Sequence, residues 1–238
     1  MKFYEKTWFM CRNNKFNKTG RIILTTILGL FFIIFSVGCS SNSSVSVNNQ
    51  LKVHFINVGQ ADSILIQQGN SSMLIDAGNN GDSENVKNYL SNQGITKLNY
   101  VIGTHPHEDH IGGLDYVINS FEIGKIYMPK ATSTTKTFSD VVSAIKNKGM
   151  QITTPVPGDS FKLGQAECKI LAPNSSSYED LNNFYVVIKV TFGNNTFMFD
   201  GDAEKVSENE MINKGFDVKA DVLKVGHHEV AHQLVMNS

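Results

Sequence analysis

His105-Pro106-His107-Glu108-Asp109-His110 gathers three histidines and an aspartate into six residues. That density suits metal coordination and has no explanation in packing. His105 and His107 stand two apart in an extended segment, so their imidazoles leave the backbone on one side. Pro106 keeps His105 extended. Asp109 and His110 follow where the chain turns into a helix, which aims them differently. The spacing predicts two donors for one ion and two for its neighbour. Asp202 ends the apolar run Phe197-Met198-Phe199, where a carboxylate costs desolvation energy unless it is paired or metal-bound. Ala220–Val225 leads to Gly226-His227-His228. A carboxylate bridging two ions, with imidazoles on each side, leaves open positions for a shared hydroxide.

Outward from this run the sequence predicts an α+β fold. Leu51–Val58 and Ser63–Gln68 alternate as strands, and Gly69-Asn70 turns the chain into Met73–Asp76. A helix is expected from Asp82 or Ser83 to Gln93, stopped by Gly94, and a strand over Asn99–Gly103. Helices are read at Ile111–Asn119, Phe138–Lys148 and Glu204–Lys214. Further strands are read at Lys125–Met128, Gln151–Pro155, Phe161–Leu171, Phe184–Phe192, Thr196–Asp200 and Ala220–Val225, with a hairpin at Asn194-Asn195. Hairpins with interspersed helices argue against a purely parallel sheet. Gly112-Gly113 lacks the rest of either common phosphate-loop fingerprint.

Charge divides the chain. Residues 1–38 hold six bases and one acid, whereas residues 39–238 hold 15 bases, 21 acids and no arginine. An acidic body of this kind argues against tight sequence-independent binding of nucleic acid, which gains affinity from basic surfaces. Only Cys168 of the three cysteines falls in the folded body, so no internal disulfide forms there. Its alternating strand context predicts a small buried hydrophobe.

Ile22–Val37 is a nearly unbroken apolar run of 16 residues behind scattered positive charges. Its length suits the core of a signal peptide better than a spanning helix of ~20 residues. Ser36-Val37-Gly38-Cys39, followed by a Ser/Asn-rich stretch, resembles a bacterial lipobox. The expected organisation is a signal peptide over 1–38, a tether over 39–50 and a folded domain over 51–238. Cys39 is then the lipidation site and anchors the body to the outer face of the cell membrane. An uncleaved signal anchor is the alternative, and it also places the body outside the cytoplasm.

His105–His110 looks like the HxHxDH signature of the metallo-β-lactamase superfamily. Phe55–Ser63 (FINVGQADS), Leu74–Gly78 (LIDAG) and Thr104–Gly113 (THPHEDHIGG) resemble the hydrolase domain of ComEC-type DNA-uptake proteins. Asn182-Asn183, Phe199–Asp202 and Leu223–His228 continue that likeness in order. The resemblance implies a four-layer αββα sandwich with two divalent ions between its sheets, zinc or alternatively manganese. It assigns His105 and His107 to one ion, Asp109 and His110 to the other, and Asp202 to the bridge. Either His227 or His228 matches the late ligand. Asp109 is also the expected catalytic residue, and Asp76 is expected to orient the histidine loop. His54 and His232 have no motif support.

The resemblance implies an extracytoplasmic hydrolase that cleaves phosphodiester bonds through a metal-bound hydroxide. The likeness to DNA-uptake proteins favours nucleic acid, and the acidic body favours a small phosphoester. A non-catalytic lipoprotein that binds metal or a partner is the rival. Several positions depart from the pattern: Asn57 replaces a common Asp, Ala61 a Gly, Tyr185 a Ser and Asp200 a Thr. The third histidine of many superfamily members has no counterpart, and Asn182 or Asn183 lies in that stretch. Relatives continue after the late histidine with Gly-Ser and further elements, where this chain reads Glu229–Ser238. A C-terminally shortened sandwich of reduced stability is the expectation.

Overall fold

The computed structural model describes residues 49–226. The apolar leader, Cys39, most of the tether, and His227, His228 and His232 lie outside the described residues. Strands β1 (Leu51–Phe55), β2 (Ile64–Gln68) and β3 (Ser71–Ile75) form an antiparallel meander. Gly69, at φ 59°, begins the tight turn between β2 and β3. Strands β4 (Lys97–Ile102), β5 (Glu122–Tyr127) and β6 (Ile152–Thr153) then add in parallel. Parallel pairing needs crossovers. Helix α1 (Ser83–Asn92) supplies the first, α2 (Glu108–Ile111) and α3 (Leu114–Ser120) the second, and α4 (Lys136–Asn147) the third.

The second sheet pairs β7 (Ser160–Leu163), β8 (Ala166–Ile170), β9 (Ile188–Phe192) and β10 (Asn195–Gly201) antiparallel. Helix α5 (Lys205–Asn213) then returns the chain to β11 (Val222–Val225), which lies parallel to β10 at the sheet edge.

Period-two alternation sorts the core into layers. Leu65 and Leu74 face α1, α3 and α4, meeting Val86, Leu90, Val117 and Val141. Their neighbours Ile64, Ile66, Met73 and Ile75 face the other sheet, against Cys168, Ile170, Ile188, Val190 and Phe199. A third cluster, with Val187, Met198 and Met211, lies between the second sheet and α5. The result is an α+β sandwich in four layers, αββα. Each Leu or Ile fully buried this way contributes about 1.5–3 kcal/mol. Cys168 belongs to the inter-sheet layer, and burial pushes its thiol up to about 12.

Several element boundaries differ from the sequence reading. The run Phe161–Leu171 is two strands, because Gly164 turns at φ 59°. The turn lets the Gln165 N–H donate to Gln68 Oε1 at 2.6 Å, which ties the two sheets together. The helix expected from Ile111 begins at Glu108 and breaks at Gly112-Gly113. A Cβ on Gly112 would lie 2.3 Å from the backbone of Asn79 and Asn80, and one on Gly113 2.5 Å from the Ala77 carbonyl. The glycine pair therefore lets the loop after β3 lie against the histidine segment. Residues 184–187 are not strand: a 3₁₀ turn covers Leu181–Phe184, and the Val186 N–H donates to the Thr104 carbonyl across the sheets at 3.1 Å. The last hairpin turns at Gly193-Asn194, with Gly193 at φ 60°, rather than at Asn194-Asn195. Among the described residues no helix is long and apolar enough to cross a membrane.

Candidate metal centre

The centre forms where β3, β4 and β10 end. Pro106 keeps the chain extended, so His105 and His107 lie side by side, with His105 Nε2 2.9 Å from His107 Nδ1. His107 is the cap residue of α2, at φ −87° and ψ 149°. Helical geometry beyond it turns Asp109 and His110 onto another side of the centre. His110 is fully buried, and its Nε2 lies 3.2 Å from Asp202 Oδ2 and 3.7 Å from Asp109 Oδ2. The His105 and His110 rings stand 4.2 Å apart by centroid.

His105, His110 and Asp202, all buried, each offer a ligand atom within 4.8 Å of the other two. Atoms sharing a tetrahedral ion at ~2.0–2.1 Å stand roughly 3.3 Å apart. The spacings of 2.9, 3.2 and 3.7 Å bracket that value. Neutral imidazoles and carboxylates at this spacing fit a divalent cation. His107 and Asp109 are half-buried and form the open side.

Asp76 supports the centre from behind. It is fully buried and adopts φ 57°, an uncommon conformation for a residue with a side chain. Its Oδ1 accepts the Thr104 N–H at 2.9 Å, and its Oδ2 accepts the Thr104 hydroxyl at 2.6 Å. Oδ2 also accepts Nδ1–H of His110 at 2.9 Å. A carboxylate only accepts, so the bond fixes the His110 tautomer and leaves Nε2 facing Asp202. Burial alone would push the His110 imidazole down. Hydrogen bonds to Asp202 and Asp76, with their charges, outweigh burial and raise it to about 10.

Close backbone approach positions Asp202. Gly201 adopts φ 48° at a register irregularity between β10 and β11. A Cβ there would lie 1.8 Å from Cζ of Tyr185, so glycine is what admits this ring. A Cβ on Gly226 would lie 2.2 Å from Asp202 Oδ1, so the end of β11 is pressed onto the carboxylate.

Some neighbours of the centre lay outside the predicted ligand set. Tyr185 is fully buried with its ring centroid 5.5 Å from that of His105. Burial and the charges of Asp76, Asp62 and Asp202 push its phenol well up. Asp62 and Lys224 form a buried ion pair, Lys224 Nζ lying 2.6 and 2.5 Å from the two carboxylate oxygens. A lysine flanked by Leu223 and Val225 was the sequence signal for this pair. Asn182 and Asn183 sit on the 3₁₀ turn that precedes Tyr185. Their side-chain amides donate to the Glu204 carboxylate, and Asn183 Oδ1 accepts the Ser207 N–H, capping α5 from outside the helix. His54 lies on β1, bonded to the Tyr89 hydroxyl at 3.0 Å.

The family model of the metallo-β-lactamase superfamily matches residues 56–235. Over 231 residues the chain is 28% identical to the ComE operon protein 3 of Bacillus subtilis (strain 168), covering 88% of this chain and 28% of that protein. The chain thus spans little more than a quarter of that relative's length. Among solved structures, a Cronobacter sakazakii metallo-β-lactamase superposes with a TM-score of 0.50 at 13% identity, over 73% of this chain and 76% of its own. The Rm3 metallo-β-lactamase gives 0.52 at 12% identity, over 74% and 76%. With the αββα layers and the His/Asp cluster where the sheets meet, the family match carries the conclusion: the chain belongs to the metallo-β-lactamase superfamily.

Proposed function

We propose that the chain is a metal-dependent hydrolase of phosphodiester bonds, acting outside the cytoplasm from a lipid anchor at Cys39. The observation that carries the reading is the convergence of His105, His110 and Asp202 ligand atoms, buried and within 4.8 Å of one another. Two divalent ions held there would supply an activated water and neutralise charge on the departing oxygen. His105 and His107 would hold one, Asp109 and His110 the other, with Asp202 between them. One of His227 and His228 would complete the set. Asp76 keeps the Nδ1 proton of His110 engaged, so that Nε2 remains the donor.

Two features bear on the substrate. Likeness to the ComE operon protein 3, and of the motifs to DNA-uptake hydrolases, supports a nucleic-acid phosphodiester. The body with 21 acids, 15 bases and no arginine favours a small phosphodiester over a long polyanion. Both share one scissile bond, so the test uses both. Hydrolysis of bis-p-nitrophenyl phosphate and of single-stranded DNA is followed with Zn²⁺ or Mn²⁺, beside a His107→Ala/Asp109→Ala control. Metal-dependent turnover abolished in the control supports the reading. Equal rates in both chains remove it and leave a non-catalytic metal-binding lipoprotein. Membrane fractionation of a Cys39→Ser chain tests the anchor, with release from the membrane as the expected result.

A further inference from the structure

We infer that Asp62 and Lys224 are a positioning pair that sets the spacing between the two halves of the metal centre. The inference rests on reading that centre as a metal site. His105, His107, Asp109 and His110 belong to the first sheet's loops, and Asp202 belongs to the second sheet. One direct contact between the halves, His110 to Asp202 at 3.2 Å, joins the very atoms an ion would separate and bind. Groups that are not ligands must hold the halves in register, as the Gln165–Gln68 and Val186–Thr104 hydrogen bonds and the apolar layer do elsewhere between the sheets.

Asp62 is placed to do this. Its N–H donates to the Asp109 carbonyl at 3.0 Å, and its own carbonyl accepts the Gly78 N–H at 2.8 Å. The residue is thus fixed to the ligand loop and to the loop that carries Asp76. Its carboxylate reaches across the sheets to Lys224 on β11, 162 residues away in sequence. Two residues beyond Lys224, Gly226 presses against Asp202 Oδ1. A continuous path therefore runs from Asp109 through Asp62, Lys224 and Gly226 to Asp202. It crosses between the sheets through Asp62 and Lys224, neither of which is assigned to an ion.

The energetics favour registry over stability as the role. Side-chain exposure is 5% for Asp62 and 16% for Lys224, so both charges pay most of their desolvation cost. Such pairs add little net stability compared with a neutral replacement, and their best-attested use is to select one arrangement. Strand β11 needs that selection. Among the described residues it is an edge strand, held by β10 through a pairing whose register shifts between Phe199 and Gly201.

The test uses the full-length chain in detergent, with zinc as the probe. Bound ions are counted by elemental analysis, affinities come from competition with a chromophoric chelator, and apo-protein melting is followed by circular dichroism. Asp62→Asn/Lys224→Met removes both charges together, and Lys224→Arg keeps a cation on Asp62. In the double variant, apo melting close to wild type and at least one ion held roughly 10–100-fold more weakly are expected. The cobalt-substituted form should also show an altered visible spectrum, which loss of stability alone would not produce. Lys224→Arg should fold, keep a charge-assisted pair with the Asp62 carboxylate and hold both affinities within roughly threefold. Wild-type affinity and spectrum in the double variant overturn the inference, and so does a folded Lys224→Arg chain with more than tenfold weaker binding. The arginine variant decides the matter should the double variant not fold. A wild-type chain that binds no zinc instead overturns the metal reading.

Discussion

Asp76, at φ 57°, accepts the Nδ1 proton of His110 at 2.9 Å, so the first sheet's strained residue fixes the imidazole that faces Asp202. Asp76 makes no contact with the ion position and acts through His110. Asp76→Asn keeps the size and loses an acceptor, setting an amide against two donors. Zinc affinity is expected to fall roughly 10–100-fold while the fold persists. Chelator competition measures the fall, and an unchanged affinity would show that His110 needs no such partner.

Protons should compete with metal at this centre. His110 is raised from 6.5 to about 10 by Asp202 and Asp76 acting against burial, so the ion-free imidazole carries a proton at neutral pH. An ion must displace it. Zinc affinity should therefore climb as pH rises towards about 10, by up to about tenfold per pH unit. The ion-free fold behaves in the opposite sense. The stability that protonated His110 contributes is full below 6.5 and is lost as pH rises through about 10. Calorimetry in buffers of different ionisation enthalpy counts the released protons; zero release at pH 7.5 contradicts the assignment.

Asp200 should cost stability at alkaline pH. Burial, with the Glu208 charge and hydrogen bond, raises its carboxyl from 3.8 to about 8, and Oδ1 finds no hydrogen-bond partner among the described residues. A raised folded value means that the contribution is full below about 3.8 and lost as pH rises through about 8. Asp200→Thr should stabilise by about 2 kcal/mol at pH 8.5, a rise in Tm of about 4–8 °C for a domain of this size. The gain should shrink at pH 5. Melting curves at the two pH values check the sign, and equal gains would exclude titration as the cause.

Gly226→Ala should damage the centre without touching a ligand. The new methyl would lie 2.2 Å from Asp202 Oδ1 and 2.3 Å from the Gly201 carbonyl, so strand or carboxylate must move. A fall in Tm of several degrees is expected, with zinc affinity at least tenfold weaker. Gly149→Ala is a control for backbone strain, since it has φ 71° and open space around it. Equal zinc affinity in the two variants would refute a steric effect on Asp202.

The histidine run and Asp202 were legible because their chemistry is local. Four donors in six residues, and a carboxylate ending an apolar strand, stand out from any packing pattern. Strand β2 was legible as an element, whereas the facing of Leu65 to one layer and of Ile64 and Ile66 to the other needed the structure, because the run is apolar throughout. What escaped the sequence depends on residues far apart in it. Asp62 and Lys224 meet across 162 positions; each stands inside a motif, and neither motif says that the two charges pair. Gly164 splits an apparent single strand because Gln68 waits on the other sheet. Asn182 and Asn183 stood where a third histidine ligand was missing, and only the structure reveals Glu204 and Ser207 as their partners.

The division of the donor set between two sheets also dictates when the centre can exist. His110 and Asp202 are separated by 92 residues, and closing so long a loop precedes any reward from the contact. A half-made chain, folded only through the first sheet, would offer His105, His107, Asp109 and His110 to solvent without the carboxylate that closes the cluster. If the centre holds ions as proposed, Asp202 closes it late, and a fully enclosed ion would mark a chain whose two sheets have met.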